Sequence, residues 1–280
     1  MCDALCVDKL SVEYASPVVP LRALSEVTFA VPPGPAGSSV CCLGASGAGK
    51  STLGLAVIQL LPHEARVKGK VSLPGGLTLT ASGGRLREYR RRSVGVVLQD
   101  APGSLVPGVP IGRQARRVFA VRRGLARRDA ERSAREGLAR VGLEDVERVW
   151  RAMPSELSGG MCQRVMISLS VLAAPEPRLM ICDEPTSALD SVSAAQVLEL
   201  LFRIKSEHRI TMLFITHDVR LVWRFDWVAI LSEGRLAEFE RSDQFLASPR
   251  SEEGRRLLDA GKALGSSSVD RVNAQQEIMR

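Results

Sequence analysis

Residues 38–61 read SSVCCLGASGAGKSTLGLAVIQLL, three kinds of segment in succession. Residues 38–44 are a short, nearly continuous apolar run, the pattern of a strand buried on both faces. Gly44-Ala45-Ser46-Gly47-Ala48-Gly49-Lys50-Ser51 follows, and then an apolar helix-forming run that Pro62 stops. Strand, glycine-rich loop and helix open an α/β unit. The loop fits G-x-x-x-x-G-K-[ST] in full and in the context that pattern requires. Its glycines let backbone N–H groups close around phosphate oxygens. Lys50 reaches the terminal phosphates as a point charge, and Ser51 offers its hydroxyl to Mg²⁺.

The flanking chain extends the same pattern. Residues 5–14 (LCVDKLSVEY) alternate apolar and polar and predict a strand, and 24–31 (LSEVTFAV) a second, ended by Pro32-Pro33-Gly34. Residues 69–98 read as short strand-like pieces with turns at Gly75-Gly76 and Gly83-Gly84. Residues 93–100 (SVGVVLQD) form a buried strand with a polar end, and a Pro- and Gly-rich loop follows to 110. Residues 111–149 are helical and rich in arginine (Arg116, Arg117, Arg122, Arg123, Arg127, Arg128). Those arginines are either a solvated face or a contact for anionic lipid headgroups or an acidic partner.

Residues 157–164 read LSGGMCQR. Ser158 followed by Gly159 and Gly160 predicts a helix N-terminus with bare backbone N–H groups, suited to an anion, leading a helix from about 159 to 173. Residues 178–185 (RLMICDEP) are a buried strand ending in two carboxylates. A helix (191–207), a strand (211–218, TMLFITHD) and a hairpin (227–239) turning at Glu233-Gly234 complete the pattern, and residues after 260 are expected to be loosely held.

A chain of 280 residues suffices for one large domain, or a domain with a subdomain, and 45% hydrophobic with 25% charged residues is ordinary for a globular core. The net charge of +7 permits contact with nucleic acid or an anionic membrane face and establishes neither. No apolar run has the length of a transmembrane helix, and the N-terminus lacks a signal-peptide apolar core, so a cytoplasmic location is expected. Of the cysteines, Cys41, Cys42 and Cys182 sit in apolar runs as small hydrophobes. Disulfides are not expected there.

Asp183 and Glu184 end an apolar strand. Successive strand residues face opposite ways, so Asp183 is assigned to Mg²⁺, through a water, and Glu184 to polarising or deprotonating an attacking water. Gln99 ends a neighbouring strand and could sense metal and water. His217, after LFIT, could hold a γ-phosphate. Each gains weight by ending a strand on the side of the phosphate loop, as doubly wound sheets require.

Together these residues closely resemble the nucleotide-binding subunit of an ATP-binding cassette (ABC) transporter over about residues 5–260. The Walker A loop is Gly44–Ser51, the Q-loop residue Gln99, the signature Leu157–Arg164, and the Walker B strand Leu179–Asp183 with Glu184 after it. The D-loop is Ser187-Ala188-Leu189-Asp190 and the switch histidine His217. Tyr14 stands where the family places an aromatic that stacks on adenine. The resemblance implies an α/β fold: a P-loop NTPase (RecA-like) core with an antiparallel β subdomain and an inserted α-helical subdomain. Residues 1–100 would be the first part of the core with the β subdomain, 101–163 the helical subdomain, 164–260 the second part of the core and 261–280 a loose tail.

The resemblance further implies ATP and Mg²⁺ as ligands, held by Gly44, Ser46, Gly47, Gly49, Lys50, Ser51, Thr52, Asp190 and Asp183, with Gln99 on the metal. It implies head-to-tail pairing with a second ATP-binding subunit, identical or a sister, in which Ser158, Gly159 and Gly160 meet the γ-phosphate held by the other chain. Two transmembrane permease subunits and, indirectly, an external solute-binding protein are the other implied partners, at the cytoplasmic face of the cell membrane. Residues 97–114, the segments SELSGGMCQRVMISLSVLA and DEPTSALD, and 247–258 resemble the peptide and nickel importer group. That group's longer peptide-type members often carry a cysteine-bearing tail, absent here, which inclines the expectation toward nickel or a metallophore. Residues 66–92 are less regular than the family's strand pair. The alternative is a soluble ABC ATPase acting on nucleic acid or the ribosome, which usually carries two cassettes, a coiled coil or a zinc insertion; this chain has one cassette, and nucleic acid is not an expected partner. Leu105, Val106, Val109 and Ile111 either offer an apolar docking surface to the permease or fill the subdomain's own core.

Overall fold

The alternation in residues 5–14 becomes strand β1 (Leu5–Tyr14) of the computed structural model, which describes residues 5–15, 20–79 and 84–264. The chain divides into two compact units, one of Pro33–Ser38 and Ala81–Met212, the other of Cys2–Pro32, Ser39–Thr80 and Leu213–Arg280.

In the unit that holds the N-terminal strands, β1 pairs antiparallel with β2 (Leu21–Val31) and with β4 (Ala65–Leu73), and β5 (Leu77–Leu79) pairs with β4. The apolar residues of β1 fall at Leu5 and Val7, then at Leu10 and Val12, yet all are buried. A bulge reconciles the two: Lys9 takes a φ of 50°, and the register with both neighbours shifts beside it. One extra residue resets the period of two. The second sheet of this unit runs β10-β9-β3-β8. Its β3 (Ser38–Leu43) is buried at every position, and β9 (Trp227–Ser232) lies parallel to it. Strand β10 (Arg235–Arg241) returns antiparallel beside β9, β8 is Thr211–Ile215, and α1 (Lys50–Val57) follows the glycine-rich loop. The C-terminal helix, Glu252–Leu264, runs four residues past position 260. Glu238, 6% exposed, fastens it by accepting from the Arg250 and Ser251 N–H groups and the Ser251 hydroxyl. The expected tail from 265 on, Cys2 and Gly83 lie outside the described residues.

The other unit carries parallel strands β6 (Val94–Val97) and β7 (Leu179–Asp183), with Val97 opposite Cys182. Its helices are α2 (Gly84–Ser93), α3 (Ala101–Ser104), α4 (Ile111–Arg123), α5 (Arg127–Arg140), α6 (Val146–Arg151), α7 (Gly159–Ile167) and α8 (Ser191–His208). Helix α2 replaces strand-like pieces expected there. Its Leu, Glu and Arg residues are good helix formers, and Leu86 is the one buried apolar side chain among its described residues, so no two-residue alternation exists to favour a strand. The arginine-rich segment breaks where Gly124 (φ 67°) ends α4 and Gly142 (φ 77°) follows α5. Ile111, Ala115 and Phe119 of α4, and Ala130, Ala134 and Leu138 of α5, are all buried. Their spacing of four keeps each set on one helix face, and the small residues let the two helices approach.

Arg122 is not part of a solvated face, and Arg123, although exposed, also turns to a backbone carbonyl. The Arg122 guanidinium donates to the carbonyls of Arg90 (3.1 Å), Arg91 (2.9 Å), Val94 (2.5 Å) and Ser170 (2.7 Å), and Arg123 donates to Leu172 (2.7 Å). Burial holds the Arg122 pKa down to about 10, still charged at neutral pH. Arg122→Ala strands those carbonyls together. It is expected to cost about 3 kcal/mol of stability, read as a lower urea midpoint. Arg122→Lys should recover part of the loss, because one ammonium cannot reach all four acceptors.

The apolar residues of the loop after β6 are divided. Leu105 (4% exposed) and Ile111 (0%) fill the unit's core, whereas Val106 is 55% exposed. The Gln114 amide fixes this loop, donating to the carbonyls of Val106 (3.0 Å) and Val109 (2.7 Å) and accepting from the Val106 N–H (2.9 Å).

Candidate nucleotide site

The glycine-rich loop runs from the end of β3 to the first turn of α1. Gly49 needs to be glycine twice over. Its φ is 96°, and a Cβ there would lie 2.5 Å from the Ala23 carbonyl oxygen. At Gly47 a Cβ would meet nothing within 4 Å, so the loop's outer face is open. Lys50, 7% exposed, is the first residue of α1, and its ammonium donates to the carbonyls of Gly44 and Ala45, both at 2.8 Å. The charge is thereby held over the loop's own amides. Ser51 is exposed beside it. Tyr14, at the end of β1, brings its hydroxyl 3.4 Å from the Thr52 hydroxyl, so the aromatic stands next to the helix that carries the loop. His217 is exposed just past β8. The Thr216 N–H donates to the Cys42 carbonyl (3.1 Å), which puts His217 at the end of the sheet where β3 enters the loop.

The turn between β9 and β10, which the sequence marks only as a turn, supports this loop. The Gly234 N–H donates to the Ala48 carbonyl (3.2 Å), and its carbonyl accepts from the Ser25 N–H (2.8 Å). With a φ of 74° and a Cβ position 2.6 Å from the Ala23 oxygen, Gly234 admits no side chain. Its signal in the sequence is the Glu-Gly pair of a hairpin. The partner it holds is far away in sequence.

The other unit holds the remaining candidates. Because β6 and β7 are parallel and in register, Gln99 and Asp183 emerge at the same strand ends. Gln99 is exposed, and Asp183 and Glu184 are half-buried. Glu184 lies just beyond the strand with a φ of 47°, so it diverges from Asp183 through a left-handed backbone rather than by strand alternation. Its carbonyl accepts from the Ser187 N–H (3.2 Å) and hydroxyl (3.0 Å), which holds that conformation.

Ser158 is the N-cap of α7, its hydroxyl accepting from the Met161 N–H at 3.3 Å. A Cβ on Gly160 would come within 3.1 Å of the Ser193 hydroxyl, and one on Gly159 within 3.4 Å of Leu189. The helix end therefore rests against the start of α8 and opens into a cavity of about 400 Å³ that Ser158, Gly160, Arg164, Ser193 and Gln196 help line. Arg164 donates to the carbonyls of Val141 (3.2 Å) and Gly142 (3.0 Å) and to Gln196 (2.7 Å), tying α5, α7 and α8 together. Asp190 caps α8, accepting from the N–H groups of Val192 and Ser193, and those bonds, that of Ser193 first, lower its pKa. α7 is shorter than the expected 159–173, passing at Ser168 into a π-helical turn that ends at Leu172.

A family model described as ABC transporter matches residues 24–187. The chain is 36% identical over 259 residues to the peptidoglycan transport ATP-binding protein YejF of Agrobacterium fabrum, covering 91% of this chain and 46% of that protein. It is 36% identical over 240 residues to the oligopeptide transport ATP-binding protein OppD of Mycobacterium bovis, covering 85% and 38%. The chain thus spans less than half the length of both. With the metal-staphylopine import system ATP-binding protein CntD of Staphylococcus aureus the identity is 31% over 242 residues, covering 86% of this chain and 88% of that one. A solved dimeric ATP-binding cassette in a post-hydrolysis state, bound to ADP and Pi, superposes with a TM-score of 0.70 at 24% identity over 85% of this chain and 98% of its own. The fold is accordingly that of an ATP-binding cassette, an α/β P-loop NTPase. The chain belongs to the ABC transporter family.

Proposed function

We propose that this chain binds and hydrolyses Mg²⁺-ATP as the motor subunit of an importer for peptide-like or metal-chelate solutes. The observation that carries the reading is the glycine-rich loop, with Lys50 held over it and open space at Gly47. Backbone amides and one fixed ammonium suit a triphosphate. The names of the transport and import relatives support the transport setting. No helix among the described residues is long and apolar enough to cross a membrane. The proposed place is the cytoplasmic face of the cell membrane, on two permease subunits fed by an external solute-binding protein. Nickel is one candidate among the metal-chelate cargoes.

The residues take the following roles. Lys50 binds the terminal phosphates, with Gly44, Ser46, Gly47, Gly49 and Thr52 shaping the loop and Tyr14 stacking on adenine. Ser51, Gln99 and Asp183 are hard oxygen donors of the kind Mg²⁺ takes. Among the described residues no group of three His, Cys, Asp or Glu side chains forms a metal cage, which fits an ion that keeps substrate phosphates and waters as ligands. Bound Mg²⁺ would neutralise charge on the phosphates. Glu184 accepts the proton of the water that attacks the γ-phosphorus, and His217 steadies the γ-phosphate as ADP leaves. Ser158, Gly159 and Gly160 bind the γ-phosphate held by a second ATP-binding subunit; the solved cassettes that share this fold are dimeric. The nucleic-acid alternative has less behind it, since Arg122 spends its donors on backbone carbonyls and Arg91 divides its own between carbonyls and the Glu88 carboxylate.

A mixed pair tests the head-to-tail reading. One chain carries Lys50→Ala and the other Ser158→Arg. If the signature acts on its partner's nucleotide, both lesions fall on one composite site and the other site still traps nucleotide. An assembled pair that traps none would overturn the arrangement. Uptake of labelled peptide against labelled metal chelate, in cells lacking this chain, decides the cargo class.

A further inference from the structure

β6 is the outermost strand of its sheet. The N–H and C=O groups of alternate residues on such a strand face outward and need partners. Here those residues are Val94, whose carbonyl accepts from Arg122, and Val96, with Leu98 following just past the strand, and no strand among the described residues covers them. The signature helix and its π-helical continuation do so with side chains. The Ser170 hydroxyl accepts from the Val96 N–H (2.6 Å) and lies 2.5 Å from the Val96 carbonyl, to which it donates. The Met166 sulfur accepts from the Leu98 N–H (3.2 Å). The Gln163 amide, 1% exposed, donates to the Leu98 carbonyl (3.1 Å). Positions 163, 166 and 170 share one helix face, so the helix takes the place of a missing strand.

The peptide bond whose carbonyl Gln163 holds is the one that joins Leu98 to Gln99. We propose that Gln163 is a positioning residue for Gln99, and that through it the signature end at Ser158 and the Gln99 side chain move as one piece. A phosphate that draws on Ser158 from a partner chain thereby shifts the Gln99 of this chain, and the reverse. This rests on the role given to Gln99 above.

The same geometry explains why Gln163 is buried rather than solvated. A buried amide with no partner is costly, and this one has its partner at the peptide that leads into Gln99. Met166 and Ser170 fix the strand edge and its register. Gln163 acts at the strand's exit, where the chain is about to leave the sheet.

The test compares Gln163→Leu, Gln99→Ala and the double variant in the full chain, with Gln163→Met as a variant of similar length lacking the donor should the leucine variant fold poorly. Two readouts are taken: hydrogen exchange of the segment 94–104 without nucleotide, and ATP turnover. Gln163→Leu is expected to speed exchange across 94–104 while leaving exchange in α4 and α5 unchanged, and to lower turnover roughly tenfold, the scale of one lost buried hydrogen bond. The double variant should be no slower than Gln99→Ala alone, because the two lesions act at one point. Unchanged exchange at 94–104 overturns the proposal, and so does a double variant whose losses multiply. If Gln99→Ala turns over like the unaltered chain, the role assigned to Gln99 falls, and the exchange readout by itself then decides whether Gln163 holds this peptide.

Discussion

Glu184→Gln is expected to leave ATP binding intact and to lower steady-state ATPase activity by about 10²–10⁴-fold, the usual contribution of a general base. The substitution keeps the size and shape of the side chain. It also leaves the backbone undisturbed, because the bonds from Ser187 to the Glu184 carbonyl do not involve the carboxylate. The left-handed φ of 47° is therefore retained, and the changed group is aimed as before. What is lost is the ability to accept a proton from the attacking water. ATP should then hold a closed pair of chains together, visible as an ATP-dependent dimer in size-exclusion chromatography. Turnover near that of the unaltered chain would remove Glu184 from the chemistry.

Lys50→Ala is expected to weaken ATP binding about 10- to 100-fold, the worth of one or two charge-assisted hydrogen bonds, and to abolish hydrolysis. The lysine is pinned before any ligand arrives, by two bonds of 2.8 Å to the loop's own carbonyls, so little side-chain entropy remains to be lost when phosphate binds. Removing it also leaves those two carbonyls without their donor. A melting curve is therefore needed beside the calorimetric titration, to separate a loosened loop from a lost charge. A folded variant that binds ATP with unchanged affinity would show that the loop is not a phosphate site.

The elements of the fold that were legible in the sequence share one property: their signal is local. The loop 44–51, the helix cap at Ser158 and the apolar strand ending at Asp183 each place their functional atoms through neighbours within a few residues. Spacing alone then carries the meaning. The bulge at Lys9 does not belong with them: residues 5–14 read as a plain alternation, and the register shift between Val7 and Leu10 shows only in the strand pairing.

What tertiary structure decided lies between residues distant along the chain. Nothing near Gln163 in sequence says that its amide meets a carbonyl 65 residues earlier, or that Gly234 supports a loop begun at Gly44. Arg122 sits among arginines that look alike, and only the convergence of four backbone carbonyls on its guanidinium separates it from the exposed Arg117. Leu105 and Val106 are adjacent and both apolar, yet one is buried and the other exposed, because Gln114 fixes the loop's direction. By itself the sequence determined the local pieces, a glycine-rich loop between strand and helix, carboxylates ending a buried strand and a glycine-opened helix. The tertiary structure decided which of many similar polar groups hold those pieces in place, since a hydrogen bond depends on distance in space and direction, and composition records neither.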